Sequence, residues 1–264
     1  YIKDNRTDDF LPVLNELNAQ QTLNYTNERA FGLYHKSDSI SNMHLENYYI
    51  YKIEDAGGPK LTAEKTKLNT IGSFVKYNLS PWTFRAQLAD QFGHYGSNDR
   101  EGLGGYIFVD RDFRDATWSP QASVGFLYLS GDDRNTSKNE AWDPIFSKWP
   151  WMSELYVNCY KDESGLGYWT NLQMFRTSLI LNPMKKTKLS LWYNYLRANE
   201  TVAESTNTFA DGKERGHLPQ IRLDYAVNKN INTYVLAEYF IPGNFYVDAA
   251  DPALFLRTEI QIKF

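Results

Sequence analysis

Amphipathic segments with a period of two recur along this chain, and the links that join them alternate between short and long. "PQIRLDYAV" sets Ile221, Leu223, Tyr225 and Val227 on one face and Gln220, Arg222 and Asp224 on the other. "KLSLWYNYL" sets Leu189, Leu191, Tyr193 and Tyr195 against Ser190, Trp192 and Asn194, and "FRTSLIL" sets Phe175, Thr177, Leu179 and Leu181 against Arg176 and Ser178. The closing "FLRTEIQIKF" alternates Leu256, Thr258, Ile260, Ile262 and Phe264 with Arg257, Glu259, Gln261 and Lys263. Successive side chains of a strand point to opposite faces, so each segment reads as a β-strand with one oily side and one wet side. Similar patterns at 30–36, 45–54, 70–78, 83–93, 104–112, 121–130 and 231–240 bring the total to about eleven strands, each near the roughly ten residues that cross a membrane.

The links carry the stronger signal. "NPMKK", "NKN", "LSPW", "RDATW" and "SDSISNM" are short, whereas "EDAGGPKLTAEKTK", the stretch after "SGDD", "ANETVAESTNTFADGKERGH" and "IPGNFYVDAADPA" are long. An outer-membrane barrel has short periplasmic turns and long extracellular loops. With the last residue on the periplasmic side, every short turn falls inside and nearly every long link outside, the exception being the short external "HYGSNDREG". A soluble sandwich or propeller also alternates its strands, but has little reason to alternate its links so strictly or to place aromatics at both strand ends.

Composition agrees with this and removes other classes. The mean hydropathy is -0.55 and no stretch approaches about 18 uninterrupted apolar residues, so a helical membrane protein is excluded while a barrel, wet on one face, is not. A net charge of -4 argues against a nucleic-acid partner. Cys159 is the single cysteine, so neither an internal disulfide nor a cysteine-based zinc site can form, and no cofactor is implied. Without an initiator Met or a signal segment the chain reads as a processed or partial product, opening on "YIKDN" like the tail of a strand.

Five stretches, in their order, carry a resemblance: "FGLYHKSDSISNMHLENYYIYKIED", "FRAQLADQFGHYG", "VGFLYLSGDD" followed by "AWDPIF", "GLGYWTNLQMFRTSLILNPMKKTKLSLWYNYLRAN", and "LAEYFIPGNFYVDAADPALFLRTEIQIKF". The chain resembles the alginate-export family of outer-membrane barrels. That resemblance implies a bacterial outer-membrane location, a barrel of about eighteen strands with a charge-lined lumen, and a polyanionic polysaccharide as solute. About eleven strands cannot close such a barrel, so the chain is similar to its C-terminal portion; a complete twelve-strand barrel, with "YIKDN" or "QTLNYT" as the twelfth strand, is the alternative. The expected fold class is thus all-β, an antiparallel transmembrane β-barrel, with residues 1–264 forming one domain and a long aromatic-rich extracellular loop at about 131–170.

Strand parity turns Lys76, Arg85, Gln87, Arg176, Arg222, Asp224, Arg257 and Glu259 inward, since a charge facing lipid at mid-membrane costs about 2–4 kcal/mol. Rings of Arg and Lys favour anions, while interleaved carboxylates fit an ordinary wet pore equally well. The long link carries Trp142, Trp149, Trp151, Tyr156, Tyr160, Tyr168 and Trp169, which fit a constriction that stacks on sugars or an aromatic minicore that folds the loop over the mouth. Asp132, Asp133, Asp248 and Asp251 lack the spacing of a calcium loop and read as turn residues. His35, His44, His94 and His217 show no triad motif, so no enzyme is expected. Asp90 falls on the lipid parity, which requires a rim position or a bulge, and "YIFVDRDF" has no cleanly apolar face. The terminal Phe264 resembles the signature read by the barrel-assembly machinery. The reading is a pore passing a hydrophilic or anionic oligo- or polysaccharide, with outer-membrane lipid as its surroundings. A plugged barrel serving as an anchor or assembly partner is the alternative.

Overall fold

The computed structural model describes residues 1–4, 28–55, 64–146, 152–155, 170–202, 209–247 and 250–264. Twelve strands form one sheet in sequence order: β1 Ile2–Asp4, β2 Glu28–Ser37, β3 Met43–Glu54, β4 Thr66–Leu79, β5 Trp82–Tyr95, β6 Asn98–Asp112, β7 Gln121–Leu129, β8 Leu172–Met184, β9 Thr187–Arg197, β10 Glu214–Ala226, β11 Ile231–Pro242 and β12 Ala253–Ile262. Every pairing is antiparallel and joins neighbours in sequence. The strands expected from the alternation are β2 to β12. "YIKDN" adds the three-residue β1, which pairs Ile2 with Ala30. Among the described residues no pairing joins β12 back to β1.

"HYGSNDREG" is a tight hairpin rather than a link: β5 and β6 run to the pair Tyr95 and Asn98, leaving only Gly96 and Ser97 between them. Gly96 takes φ 60°, a left-handed conformation that glycine adopts without a Cβ penalty. Consequently β6 starts at Asn98, well before the apolar run.

The two faces of the sheet differ in kind. One is bare and apolar, with Leu88 62%, Leu256 66% and Ile260 71% exposed, joined by Ile71, Ile107, Val124, Phe175, Ile221 and Val235. Exposed aromatics flank this band near the short turns, among them Tyr77, Trp82, Trp118 and Tyr225. An exposed apolar face of this extent has no place in water, whereas an apolar band edged by aromatics suits a bilayer. The opposite, inner face carries the polar partners and is covered in part by the β7–β8 link.

Two ambiguous stretches are now placed. Phe108, Asp110 and Asp112 of "YIFVDRDF" lie on the inner face, across from Arg85, Thr83 and Gln121 or their row-mates, and Arg111 at the bare edge stacks between Trp82 and Phe113 at 4.8 and 4.7 Å. No register shift interrupts β5 against either neighbour, so the bulge that would have turned Asp90 inward is absent. Asp90 stays exposed on the bare face between Ile71 and Leu103, on the half of β5 that leads to Tyr95.

The apolar core lies on the inner face at the long-link end. Leu127, Leu129, Leu172, Met174, Leu196, Leu218 and Phe240 of the wall pack with Met152, Leu155, Phe209, Phe245 and Tyr246 of the links. Among the described residues this half of the inner face carries the buried apolar cluster. The half nearer the short turns is polar and holds open cavities.

Candidate functional site

One inner-face row runs strand to strand through Lys76, Arg85, Phe108, Gly125, Arg176 and Asn194. Gly125 is what lets the row exist, because a Cβ there would stand 2.1 Å from the Phe108 ring. The ring lies across the glycine, leaving Arg85 on one side, its guanidinium 5.2 Å from the ring centre, and Arg176 on the other. Arg85 makes a two-pronged bond to Asp110 at 2.9 and 3.0 Å, while Arg176 bonds Asn194 at 3.1 Å and lies 5.6 Å from the Trp192 ring centre. Among the described residues Lys76 makes no ion pair. Lys76, Arg85, Phe108, Asp110, Arg176 and Trp192 line a cavity of about 440 Å³.

A second group of expected residues gathers nearer the short turns of β8–β12. Arg222 and Arg257 flank Leu236 in one row, and Lys188, Asp224, Tyr234 and Glu259 form the next. Arg222 bonds Asp224 at 2.6 Å and stacks on Tyr234 at 3.7 Å, and Tyr234 donates to Glu259 at 3.0 Å. All eight residues expected on the wall thus share the inner face of the sheet, seven of them in these two groups and Gln87 beside the first, donating to the Tyr48 hydroxyl at 2.7 Å. Arg85, Arg222 and Arg257 each hold a carboxylate.

The long link enters the inner face and is fastened on two walls. On the first, Lys52 Nζ sits 3.1 Å from Glu28, 3.0 Å from Glu54 and 3.3 Å from Asp143 of the link, and donates to the Ile145 carbonyl at 3.3 Å. Gln91 exchanges two hydrogen bonds with the Asp143 backbone at 2.7 and 2.8 Å, and Arg100 lies 3.4 Å from its carboxylate. Trp142 drops onto β6 because Gly104 has no side chain: a Cβ there would be 2.7 Å from the indole. Further along the sheet, on β11 and β12, Glu238 accepts from Ser153 Oγ and from the backbone N–H groups of Glu154 and Leu155, and Glu154 pairs with Arg257. Trp142 is the one expected constriction residue among those described; Trp149, Trp151, Tyr168 and Trp169 lie outside them, as do Tyr156 and Tyr160.

Burial pushes the Asp143 carboxyl up, but Lys52 and Arg100 outweigh it and hold the group below its ordinary range. A depressed value in the docked state means docking is favoured above the free carboxyl value and lost as pH falls through the docked one. Protease cleavage within 140–146 is therefore expected to stay constant from neutral pH to about 5 and to rise below about 4. Cleavage that rises between pH 7 and 5 instead would assign the anchor to another group.

Lys52, Gln91 and Arg100 are not among the residues that the sequence alone marks for the site. Their signal was present, since Lys52 and Glu54 share a parity in "YIYKIED", and the glycines of "EGLGG" fall at strand-interior positions where another segment comes close. Arg215 was also missed: a register shift between Glu214 and Gly216 accompanies its full burial, 4.7 Å from the Phe245 ring centre. The aspartates serve turns, Asp132 accepting from the Glu140 N–H and Asp133 from the Asn135 N–H, while Asp248 lies outside the described residues. The histidines meet carboxylates, a tyrosine or an asparagine: His94 with Asp99, His44 with Asp38 and Glu46, His217 with Tyr193 and Glu214, His35 with Asn47. Among the described residues no group of three or more His, Cys, Asp or Glu could hold a metal ion.

A family profile described as alginate export matches residues 7–255. Among curated proteins none matches the chain. Solved structures with a similar path include the outer membrane phospholipase A of Escherichia coli, at 10% identity and a TM-score of 0.38 over 90% of this chain and 84% of that one. Another is the Salmonella typhi outer membrane phospholipase dimer with bound calcium, at 9% identity and a TM-score of 0.38 over 90% of this chain and 78% of that one.

Proposed function

The chain belongs to the alginate export family of bacterial outer-membrane β-barrels, and from that premise we propose that it forms a passive channel for a hydrophilic, anionic oligo- or polysaccharide. Residues 1–264 act as one barrel domain in this reading, with the 131–170 link on the extracellular side. The observation that carries it is the inner-face row of Lys76, Arg85 and Arg176 with its interleaved Phe108, beside an open polar cavity. Cations on a wall of low dielectric raise the local concentration of anions, and the carboxylates already paired with Arg85 and Arg222 keep the path wet rather than strongly binding. The inward-fastened link narrows the path, with Trp142 as part of the constriction. Outer-membrane lipid surrounds the bare face.

A second reading is a plugged barrel that serves as an anchor or assembly partner. The buried apolar cluster of Leu155, Phe209, Phe245 and their wall partners favours it. Planar-bilayer recording separates the two. The channel reading expects a stable conductance that falls when an anionic polysaccharide is added and is unaffected by a neutral one of equal length. A silent barrel would sink it and leave the anchor.

A further inference from the structure

Arg257 divides its guanidinium between two carboxylates. One nitrogen bonds Glu259, its neighbour on β12, and the other bonds Glu154, which belongs to no strand. Glu154 is carried there by the link, whose adjoining Ser153 and Leu155 are fixed to Glu238 at 2.5 and 2.9 Å. The link thus brings a carboxylate to a wall cation from the side of the path, where a carboxylate of a passing solute would approach. Glu154 and Arg257 are both well exposed, their side chains 37% and 42% accessible, and ion pairs that wet are held weakly enough to be exchanged.

The surroundings suit a carboxylated sugar. Tyr234 separates the two arginines, 3.7 Å from Arg222 and 5.8 Å from Arg257, so the pair offers two cations around one aromatic ring. Below them lies a cavity of about 620 Å³ lined by Lys188, Arg222, Asp224, Tyr234 and Glu259. Asp224 Oδ2 is buried, accepts no hydrogen bond, and has Lys188 only at 3.9 Å. Lys185 and Lys186 line the short-turn end of the cavity, placing further positive charge at the approach.

We propose that Arg257, with Arg222 and Tyr234, binds a carboxylate of the saccharide solute, and that Glu154 is the chain's own occupant of that position, displaced when solute passes. The site rests on the channel reading above and adds its regulation: in the empty channel Glu154 holds the cation that a carboxylate of the solute must take, so the two compete for it.

The test compares block of the planar-bilayer current by a short oligogalacturonate, each variant measured relative to its own open current. Glu154→Gln removes the competing charge and is expected to lower the half-blocking concentration by about fivefold. Arg257→Gln is expected to raise it, and adding Glu154→Gln to Arg257→Gln is expected to bring no further gain, because the competitor has lost its target. Block by maltohexaose should be the same throughout. Equal half-blocking concentrations for the unaltered chain and Glu154→Gln overturn the inference while leaving the channel standing. So does a Glu154→Gln gain that persists without Arg257. An unaltered chain that is silent, or conducts without uronate block, overturns both.

Discussion

Replacing Lys52 with methionine is expected to cost about 3–5 kcal/mol and to release the first anchor of the link, because it leaves buried carboxylates without their cation. Lys52 Nζ is within 3.3 Å of oxygens from Glu28, Glu54 and Asp143. Arg100 reaches only Asp143, at 3.4 Å. The cluster holds three carboxylates against two cations, and Glu28 Oε2 already lacks a hydrogen-bond partner. Methionine fills much the same volume as the lysine stem, so packing changes little and the loss measures charge. The wall residues Glu28 and Glu54 are fixed in strands; the link can move. The cheapest relaxation is for Asp143 to leave the wall, taking Trp142 out of its seat on Gly104. Limited proteolysis should then cut within 140–146 many times faster than in the unaltered chain, and single-channel current should become larger and noisier. Adding Asp143→Asn removes one of the stranded charges and should recover part of the loss. If Lys52→Met unfolds at the same urea concentration as the unaltered chain and is cut no faster, the cluster does not hold the link.

What the sequence disclosed and what it hid divide along a physical line. Parity is a local property, because side chains alternate wherever a strand runs without a bulge, and so Arg85, Arg176, Arg222 and Arg257 could be turned inward from their neighbours alone. Strand ends are less local. β6 extends to Asn98 through a polar stretch because Gly96 closes a two-residue turn, and polarity alone resembled a link. The anchor of the link was beyond reach: Lys52 and Asp143 stand 91 positions apart and meet only once four strands and a fold-back are in place. Glycine carried the best indirect sign of it. Gly104 and Gly125 both interrupt strands that would otherwise favour larger residues, and each marks a ring lying on the sheet. The charge of Asp90 remains at odds with the bare face on which an unbroken register holds it, and among the described residues it has no ion pair on which to base an account.

Placing an arginine at Ile221 is expected to destabilise the folded chain in a bilayer by about 2–4 kcal/mol, the cost of a cation on the lipid face near mid-membrane. Ile221 is central in β10, 46% exposed on the bare face, with Leu191 and Ala237 as its cross-strand neighbours. One residue further, Arg222 lies on the other face, bonded to Asp224 and stacked on Tyr234. Arg222→Leu should therefore cost no more than about 1 kcal/mol, the usual worth of a solvent-accessible pair, and should alter ion selectivity instead. The two substitutions exchange a charge and an aliphatic side chain at adjacent positions of one strand, so helix or strand preference, depth and local packing are nearly matched. What differs is the medium each position meets. Urea titration of the two variants folded into lipid vesicles gives the comparison directly, and the asymmetry should vanish in a detergent micelle thin enough to let the arginine reach water. Equal losses in vesicles would mean that the face carrying Leu256, Ile260 and Ile221 is not set against lipid, and the assignment of inside and outside on which Lys76, Arg85 and Arg176 line a path would fall with it.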